Sequence, residues 1–485
     1  MLENHLGLWS LAPLLVTITL AFLTREVVLS LFAGILSGGL IYAFGTGGTL
    51  VDAPTVILKV MGEHLSENVH MVIFLLMLGS LVAVISAAGG AQAYGEWAYR
   101  RLKSRRTASL LTALFGIIIF IDDYFNCLTI GTVMRPVTDK FKISREKLAY
   151  IIDATSAPVC ILAPISSWAA YVVSCIPKET CEHGMTLFLA SMPFNFYAIG
   201  ALLFVALVCV WDRLEFGPMK DAERVTRRGH DVGADRHAAV GMAAVPVVGK
   251  GRVFDLVLPI VALIVFAVLA MLRDGGYFAG ASTFAHAFAN AEAGPSLSLA
   301  SFGAIAFAFL LFVPRKLVGF KDFSNVVVIG MKTMIPAVVM LTLAWTISGI
   351  CEELLGTDKF VKECLSVSQF PHWCLPAVFF VISAFLTFAT GASWGAIGIL
   401  VPVAAEIFSL SDISGSTTAA ALLLGAVLAG AVQGDHCSPI SDTTILSSTG
   451  AGCRHHNHVV TQMPYALVVG VVSLVCYLVA GYLII

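Results

Sequence analysis

Carboxylate, hydroxyl and imidazole side chains interrupt an apolar stretch near the C-terminus of this 485-residue chain. The polar run Gly434-Asp-His-Cys-Ser-Pro-Ile-Ser-Asp-Thr-Thr444 stands between the apolar segments 417–432 and 445–450. Its glycine and proline weaken helical hydrogen bonding and free backbone carbonyls for other partners. Irregular backbone at membrane depth persists only where it is buried in protein or lines a wet cavity. The run is therefore predicted to be a binding site within a membrane.

The composition is that of a polytopic helical membrane protein. Hydrophobic residues make up 58% of the chain and charged residues 12%, whereas soluble domains have roughly 45–50% and 25%. The apolar runs have helix length and lack ten-residue alternation, which favours an all-α bundle over a barrel. No Lys or Arg lies before residues 8–23, and no small-residue cleavage site follows them. This run is predicted to be a retained span and not a signal peptide.

The distribution of Lys and Arg predicts the topology, because basic loops face the cytoplasm. The basic loops are 100–106, 140–147, 212–252 and 314–321. The acidic or neutral loops are 46–68, 177–184, 273–295 and 352–372. Every loop lies on its expected side if the N-terminus is outside. The predicted spans are 8–23, 27–44, 69–88, 148–175, 187–211, 253–272, 297–313, 325–350, 416–449 and 460–485.

Two further segments are predicted to be re-entrant helical hairpins. Residues 107–138 lie between two basic loops, so a single crossing would put one of those loops on the wrong side. One straight helix of this length would measure roughly 48 Å, against a hydrocarbon core of about 30 Å. The polar residues 122–126 are predicted to form the turn. In the second half, residues 373–408 lie between two outer loops and have a predicted tip at 390–395.

The two halves of the chain resemble each other weakly. Residues 126–137 align with 393–403 after one gap, and Ala-Pro-Ile-Ser-Ser at 163–167 aligns with Ser-Pro-Ile-Ser-Asp at 438–442. Three spans precede each hairpin and two follow it, from opposite starting sides. This pattern predicts an inverted-topology repeat, which is typical of secondary transporters. The predicted repeats are 1–211, with a broken helix at 148–175, and 253–485, with a broken helix at 416–449; a solvated cytoplasmic linker, 212–252, joins them.

An oxygen-rich ion site is predicted where the two breaks meet near the middle of the membrane. Each ionised Asp facing lipid would cost about 2.5–3.5 kcal/mol, so such residues must face inward or be neutral. Na⁺ is a hard ion that prefers oxygen ligands, and burial favours the protonated form of a carboxylate, so cation and proton would compete for the same oxygens. The predicted ion- and proton-binding residues are Asp122, Asp123, Asn126, Asp153, Thr155, Ser156, Asp435, His436, Ser438, Ser441, Asp442 and Thr443. The predicted solute-lining residues are Ser166, Thr390 and Ser393.

Structural roles compete at several of these positions. Asp122 and Asp123 also suit a turn or an Asx cap, Asp153 suits a helix cap, and His436 suits a hydrogen-bonded packing residue. The chain contains no HExxH, paired CxxC or P-loop motif, so neither an enzyme, an ATP-driven pump nor a cofactor is predicted. It has no basic patch of the kind that binds nucleic acid. The predicted outer loops contain Cys175, Cys181, Cys351 and Cys364, which leaves a disulfide open.

Two motifs resemble the NhaC-type Na⁺/H⁺ antiporter family. They are Phe120-Ile-Asp-Asp-Tyr-Phe-Asn126 and the Gly434–Thr444 run, and the resemblance extends over most of the chain from the third span onward. It implies the ion-transporter superfamily architecture, with hairpins and broken helices in a mobile transport domain, a rigid scaffold domain, elevator-type alternating access and usually a homodimer. Members also exchange Na⁺ and H⁺ with organic anions, and related proteins move amino acids. Many members have Gly-Asp-Lys where this chain has Gly434, Asp435 and His436.

Together these observations predict a multi-pass protein of the bacterial cytoplasmic membrane that exchanges Na⁺ for H⁺. Its expected partners are the lipid bilayer, a small cation and a second copy of the chain. The alternative is a Na⁺- or H⁺-coupled transporter of a small organic solute such as an amino acid or a carboxylate.

Overall fold

The fold is helical throughout the part of the chain that the structure, a computed structural model, describes. The described residues are 7–24, 26–120, 123–164, 166–176, 184–229, 249–280, 287, 291–357, 359–360, 371–409 and 417–485. They contain no β-strand. Eight helices are long and apolar enough to cross a membrane, and the pair 184–194 and 196–210, bent by 46°, raises this to as many as nine. The predicted class, an all-α polytopic membrane protein, is confirmed.

The helices follow one another with short connections. In the first half they are α1 Ala12–Thr24, α2 Val27–Gly45, α3 Asp52–Glu67, α4 Val69–Ala87, α5 Gly90–Arg101, α6 Arg105–Ile118, α7 Asp123–Lys140, α8 Arg145–Leu162, α9 Ser167–Cys175, α10 Gly184–Ser191, α11 Phe196–Val210 and α12 Gly217–Arg227. In the second half they are α13 Phe254–Asp274, α14 Ala293–Phe312, α15 Phe320–Gly349, α16 Leu375–Thr390, α17 Ser393–Ser409, α18 Thr417–Cys437, α19 Asp442–Ala451 and α20 His455–Ile484.

Several predicted spans match helices within a few residues, namely those realised as α2, α4, α13 and α14. The span predicted at 325–350 begins earlier, at Phe320, and continues into a π-helical turn, Ile350–Leu354. The predicted outer loop 46–68 contains α3, an amphipathic helix with Ala53, Ile57 and Val60 buried. The polar residues between these positions favour a loop. The three buried residues nevertheless recur at helical spacing, on one face of α3. Cys181 and Cys364 lie outside the described residues, so their pairing stays a prediction.

The first part of the predicted linker is folded and not simply solvated. Helix α12 contacts α8 and α20, with Glu223 fully buried. Glu223 accepts a hydrogen bond from the Ser144 backbone at 2.7 Å and pairs with Arg105. Glu215, just before α12, lies 2.7 Å from the Lys147 ammonium. Mixed charge predicts a solvated segment, but the partners of these charges lie at the N-terminal ends of α6 and α8. Residues 230–248 lie outside the described part of the chain.

Both predicted hairpins are pairs of helices with a short break. Helices α16 and α17 are separated at Gly391, whose φ of +72° lies in the left-handed region that favours glycine. Helix α6 ends at Ile118 and α7 begins at Asp123, so residues 123–126 of the predicted turn at 122–126 are helical. The Asn126 side chain donates to the carbonyls of Gly116 and Ile119, at the end of α6. Asn126 therefore lies in the first turns of α7 and not in a turn.

Both predicted broken helices are also interrupted. The break between α8 and α9 spans residues 163–166, and that between α18 and α19 spans 438–441. Each half therefore has a helix pair followed by a broken helix, in the same order. Helix α19 packs against α7 and α8, which brings the second break to the helices of the first half.

Glycines in α18 allow it to lie directly on α16. A Cβ at Gly430 would lie 2.3 Å from the Phe380 carbonyl oxygen, and one at Gly434 would lie 2.3 Å from that of Ala384. Because the obstructing atoms are backbone, one helix would have to move to accept any side chain. This contact holds Gly434 and the residues after it at a fixed depth against α16.

A methyl group at Gly434 is expected to destabilise the protein. We predict that Gly434→Ala lowers the free energy of unfolding by ~1–3 kcal/mol, because overpacked contacts force the backbone to shift. The matched control is Gly62→Ala in α3, where a Cβ meets nothing within 4 Å. The measurement is the thermal midpoint of the detergent-solubilised variants by size-exclusion chromatography after heating. Equal midpoints for the two variants would contradict the close contact of α16 and α18.

Candidate cation and proton site

Side-chain hydrogen bonds fix the backbone of the break between α18 and α19. Pro439 has no N–H to continue α18, and Ser438 donates its hydroxyl to the Phe388 carbonyl of α16 at 2.8 Å. The Thr444 hydroxyl donates to the carbonyls of Ser438 and Ser441, each at 3.0 Å. His455 Nε2 lies 2.7 Å from the Pro439 carbonyl oxygen. The irregular backbone is thus fixed from α16, α19 and α20.

Asp435 lies fully buried in the last turn of α18, with both carboxylate oxygens facing hydroxyl groups. The Ser441 hydroxyl donates to Oδ1, and the Thr443 hydroxyl donates to Oδ2 at 2.6 Å. The two hydroxyl oxygens are 3.1 Å apart. Four oxygens from three side chains therefore converge at one point, which is the donor set that a hard cation prefers.

Asp442 begins α19 beside this group and connects it to the first half of the chain. Its Oδ1 accepts from the backbone N–H of Thr443 at 2.9 Å, at the positive end of the helix dipole. Its Oδ2 accepts a hydrogen bond from the Tyr124 hydroxyl of α7. The sequence separation of the tyrosine and the carboxylate is 318 residues.

Asp153 forms a second buried centre, between α8, α19 and α20. Ser447 donates to its Oδ1 at 3.2 Å, Gln462 donates to its Oδ2, and His458 Nε2 lies 3.3 Å from Oδ2. These partners come from a hydroxyl, an amide and an imidazole, so Asp153 is held differently from Asp435. Both centres are fully buried, and Asp442 lies next to Ser441, which bonds Asp435. The three carboxylates would repel one another if all were ionised.

His436 is positioned by neutral groups. Its Nδ1 lies 3.1 Å from the Tyr197 hydroxyl of α11, and its carbonyl accepts from Gln462 at 2.9 Å. Its Nε2 is buried and has no hydrogen-bond partner among the described residues. The Gln462 amide therefore joins the backbone at His436 to the Asp153 carboxylate.

At the start of α7, Asn126 has a structural role in the described residues. Its amide nitrogen lies 2.8 Å from the Gly116 carbonyl, 2.6 Å from that of Ile119 and 3.3 Å from that of Thr155. It therefore joins α6, α7 and α8. Asp123 is buried, and its Oδ1 accepts from the Tyr124 N–H at 3.1 Å. Asp122 lies outside the described residues, so its predicted role stays a prediction.

Other predicted site residues bond mainly to nearby backbone. The Thr155 hydroxyl donates to Ile151, Ser156 donates to Asp153, and Thr390 donates to Leu386, all at carbonyl oxygens. The Ser166 hydroxyl caps the N-terminus of α9. Ser393, at the tip of the second helix pair, is buried, and its hydroxyl has no partner among the described residues. The structure thus brings together Asp435, Ser441, Asp442 and Thr443, with Asp153 and His436 nearby.

The sequence predictions did not include several residues that hold site groups from other helices. Tyr124 bonds Asp442, and Tyr197 bonds His436. Ser447, His458 and Gln462 contact Asp153. Tyr124 stands in the Phe120–Asn126 motif. His458 and Gln462 are four residues apart near the start of an apolar span, so they share one helix face. Two polar residues on one face of an apolar helix indicate that this face contacts other polar groups. Among the described residues, no three His, Cys, Asp or Glu side chains form a metal-holding group.

A comparison with known families assigns the chain. The model of the family described as the Na⁺/H⁺ antiporter family matches residues 159–482, more than half of the chain. The chain belongs to the Na⁺/H⁺ antiporter family. This confirms the resemblance inferred from the motifs, and the prediction that the chain is a transporter and not an enzyme. The Asp435 group and His458 lie inside the matched region, whereas Tyr124 and Asp153 precede it.

Two relatives of this chain are named as antiporters of different organic solutes, and a third is uncharacterised. An uncharacterised protein of Haemophilus influenzae is 37% identical over 98% of this chain and 91% of its own length. The arginine/ornithine antiporter ArcD of Halobacterium salinarum is 33% identical over 33% of this chain and 31% of its own. The malate-2H⁺/Na⁺-lactate antiporter of Bacillus subtilis is 27% identical over 34% of each chain. The latter two matches cover only about a third of each relative.

Proposed function

We propose that the protein exchanges Na⁺ for H⁺ across the bacterial cytoplasmic membrane, with Asp435 holding the cation and the proton in turn. The observation that carries this proposal is the convergence of the Asp435, Ser441 and Thr443 oxygens at the break between α18 and α19. All four donor atoms are oxygen, and all three side chains are buried. The family to which the chain belongs is described as exchanging Na⁺ and H⁺, and Na⁺ is a hard monovalent cation that suits these oxygen atoms.

Hydroxyl groups let the same site take either cargo. Each hydroxyl can donate one hydrogen bond and accept two. With Na⁺ bound, Ser441 and Thr443 turn their lone pairs toward the ion, and the Asp435 charge neutralises it. With a proton on Asp435, the hydroxyls bond the carboxyl group instead. One negative charge cannot hold both cargoes, so binding is mutually exclusive and each crossing carries one of them.

Alternating access would come from movement of the helix pairs and broken helices as one body, in the manner of an elevator. The hydrophobic clusters cross this division. One joins α4 and α13–α15 to residues of α6, α7, α8 and α19, and another joins α9–α11, α16–α18 and α20. We propose that α4 and α13–α15 belong to a scaffold domain, and that the helix pairs and broken helices belong to a transport domain. The inverted repeats 1–211 and 253–485, and a homodimer, belong to the same proposal.

The proposal predicts that NaCl releases protons from everted membrane vesicles. Vesicles that have been made acid inside by respiration should lose the pH gradient when NaCl is added, because Na⁺ enters as H⁺ leaves. The measurement is recovery of acridine orange fluorescence, with choline chloride as the control for chloride and osmolarity. Vesicles from cells lacking the protein give the background. A response equal to this background would contradict Na⁺/H⁺ exchange.

A second candidate is an ion-coupled transporter of a small organic solute. It is favoured by the two relatives named for arginine and ornithine and for malate and lactate. Proteoliposomes given labelled arginine, ornithine, malate or lactate, with and without Na⁺, distinguish the two functions. Proton release that requires one of these solutes would reverse the ranking.

A further inference from the structure

A cavity lined by both polar and apolar residues opens at the end of the α8–α20 pair, away from the Asp435 group. Its volume is about 330 Å³, and its lining includes Glu146, Asp221, Thr226, His456, Asn457 and Thr461. Helix α12 contributes one wall, and the loops at this end are those whose positive charge predicts the cytoplasmic side. A cavity of this size and polarity holds water. Bulk protons can therefore reach the cytoplasmic ends of α8 and α20.

The interface of α8 and α20 continues from this cavity to Asp153. Glu146 and Asp153 are seven residues apart in α8, which places them on one face, two turns or roughly 10 Å apart. Asn457 of α20 lies 3.4 Å from Glu146, and His458, the next residue, lies 3.3 Å from Asp153. His458 is thus next in sequence to a residue of the cavity lining, and its imidazole contacts the buried carboxylate.

The two ring nitrogens of His458 differ in their surroundings. Nε2 faces Asp153, whereas Nδ1 is buried and has no hydrogen-bond partner among the described residues. A buried nitrogen without a partner is destabilising, so such atoms mark a bound water or a functional role. The other titratable groups near His458 are His436 of α18 and His455 of its own helix. His436 is hydrogen-bonded to Tyr197. His455 is hydrogen-bonded to the Pro439 carbonyl and to the Ser448 hydroxyl.

We propose that His458 relays protons between the cytoplasmic cavity and Asp153. A proton from cavity water forms a bond to Nδ1, the Nε2–H bond breaks, and that proton bonds to Asp153 Oδ2. The ring ends neutral with its hydrogen on Nδ1, and reorientation of the imidazole returns an N–H to Asp153 for the next transfer in the same direction. Gln462 donates to both the Asp153 carboxylate and the carbonyl of His436, the residue after Asp435, which places the relay beside the Asp435 group. This relay rests on the proposed Na⁺/H⁺ exchange.

The test separates proton movement from Na⁺ movement in proteoliposomes. His458→Gln removes the relay but keeps a side chain that can bond Asp153. We expect Na⁺-driven proton flux to fall about tenfold or more, since a positioned acid–base group contributes ~10²–10⁴-fold. Exchange of ²²Na⁺ for Na⁺ at equal pH needs no proton transfer and should stay within about twofold of the wild-type rate. His372→Gln, at an exposed position before α16, is the control.

A second variant keeps the proposal testable if His458→Gln does not accumulate. Val460 lines the cavity and does not contact Asp153 in the described residues, so Val460→Trp fills the water path and leaves His458 in place. It should lower proton flux and spare ²²Na⁺ exchange in the same way. A parallel fall of both fluxes would show that His458 is structural, and unchanged proton flux would exclude the path. If wild-type protein exchanges no ²²Na⁺, the proposed function fails instead.

Discussion

The Asp435→Asn variant is expected to reach the membrane in wild-type amount and to release no protons from everted vesicles when NaCl is added. Asparagine has nearly the shape of aspartate. Its amide oxygen can accept one hydroxyl hydrogen, and its amide nitrogen can donate to the other hydroxyl, so Ser441 and Thr443 stay bonded. The amide has no negative charge to hold Na⁺ and does not take up a proton. Both halves of the exchange are therefore lost while the break keeps its conformation.

The control for this substitution is Asp322→Asn, which makes the same chemical change at an exposed position in the first turn of α15. It should exchange at the wild-type rate. Activity of Asp435→Asn above half of the wild-type rate would contradict the role given to Asp435. If Asp442→Asn then proved inactive, the cargo-binding carboxylate would be the one that Tyr124 holds. The rate of fluorescence recovery at saturating NaCl measures all three variants.

The positions of the breaks could be predicted because the membrane makes polar residues conspicuous. Residues 434–444 carry carboxylates and hydroxyls inside an apolar run, and α18 ends and α19 begins within them. The Asp435 group could also be predicted, because Ser441 and Thr443 lie within eight residues of the aspartate along the chain. Local sequence is sufficient when the interacting groups come from one interrupted helix.

Contacts between distant helices could not be predicted in this way. Tyr124 reaches Asp442 across 318 positions, and His458 reaches Asp153 across 305. Periodicity shows which face of a helix is polar but not which other helix faces it. The same limit explains the turn misplaced at 122–126, since Asn126 bonds the end of α6 and so lies within α7. It also explains the burial of Glu223 in α12 and of Glu215 just before it, since their cationic partners come from the first turns of α6 and α8.

Glu215→Leu is expected to destabilise the protein more than any other substitution in the interface of α12 with the bundle. Lys147 is 3% exposed, and Glu215 is the one carboxylate that contacts it within the described residues. Without Glu215, its ammonium keeps only the Val208 carbonyl, 3.4 Å away. An unpaired buried charge of this kind costs ~3–5 kcal/mol of unfolding free energy. The measurement is the thermal midpoint in detergent, compared with the wild-type protein.

The reverse substitution should cost less, which makes the ion pair testable. In Lys147→Met, Glu215 retains Arg227, 2.8 Å away and partly exposed, so its charge stays neutralised. In the double variant Glu215→Leu, Lys147→Met neither charge is buried alone, and most of the stability should return. Arg224→Gln, which breaks the exposed pair with Asp221 on the same helix, should change the free energy by about 0–1 kcal/mol. Equal losses in the two single variants, with no recovery in the double, would mean that packing of α12 and not charge pairing holds this helix on the bundle.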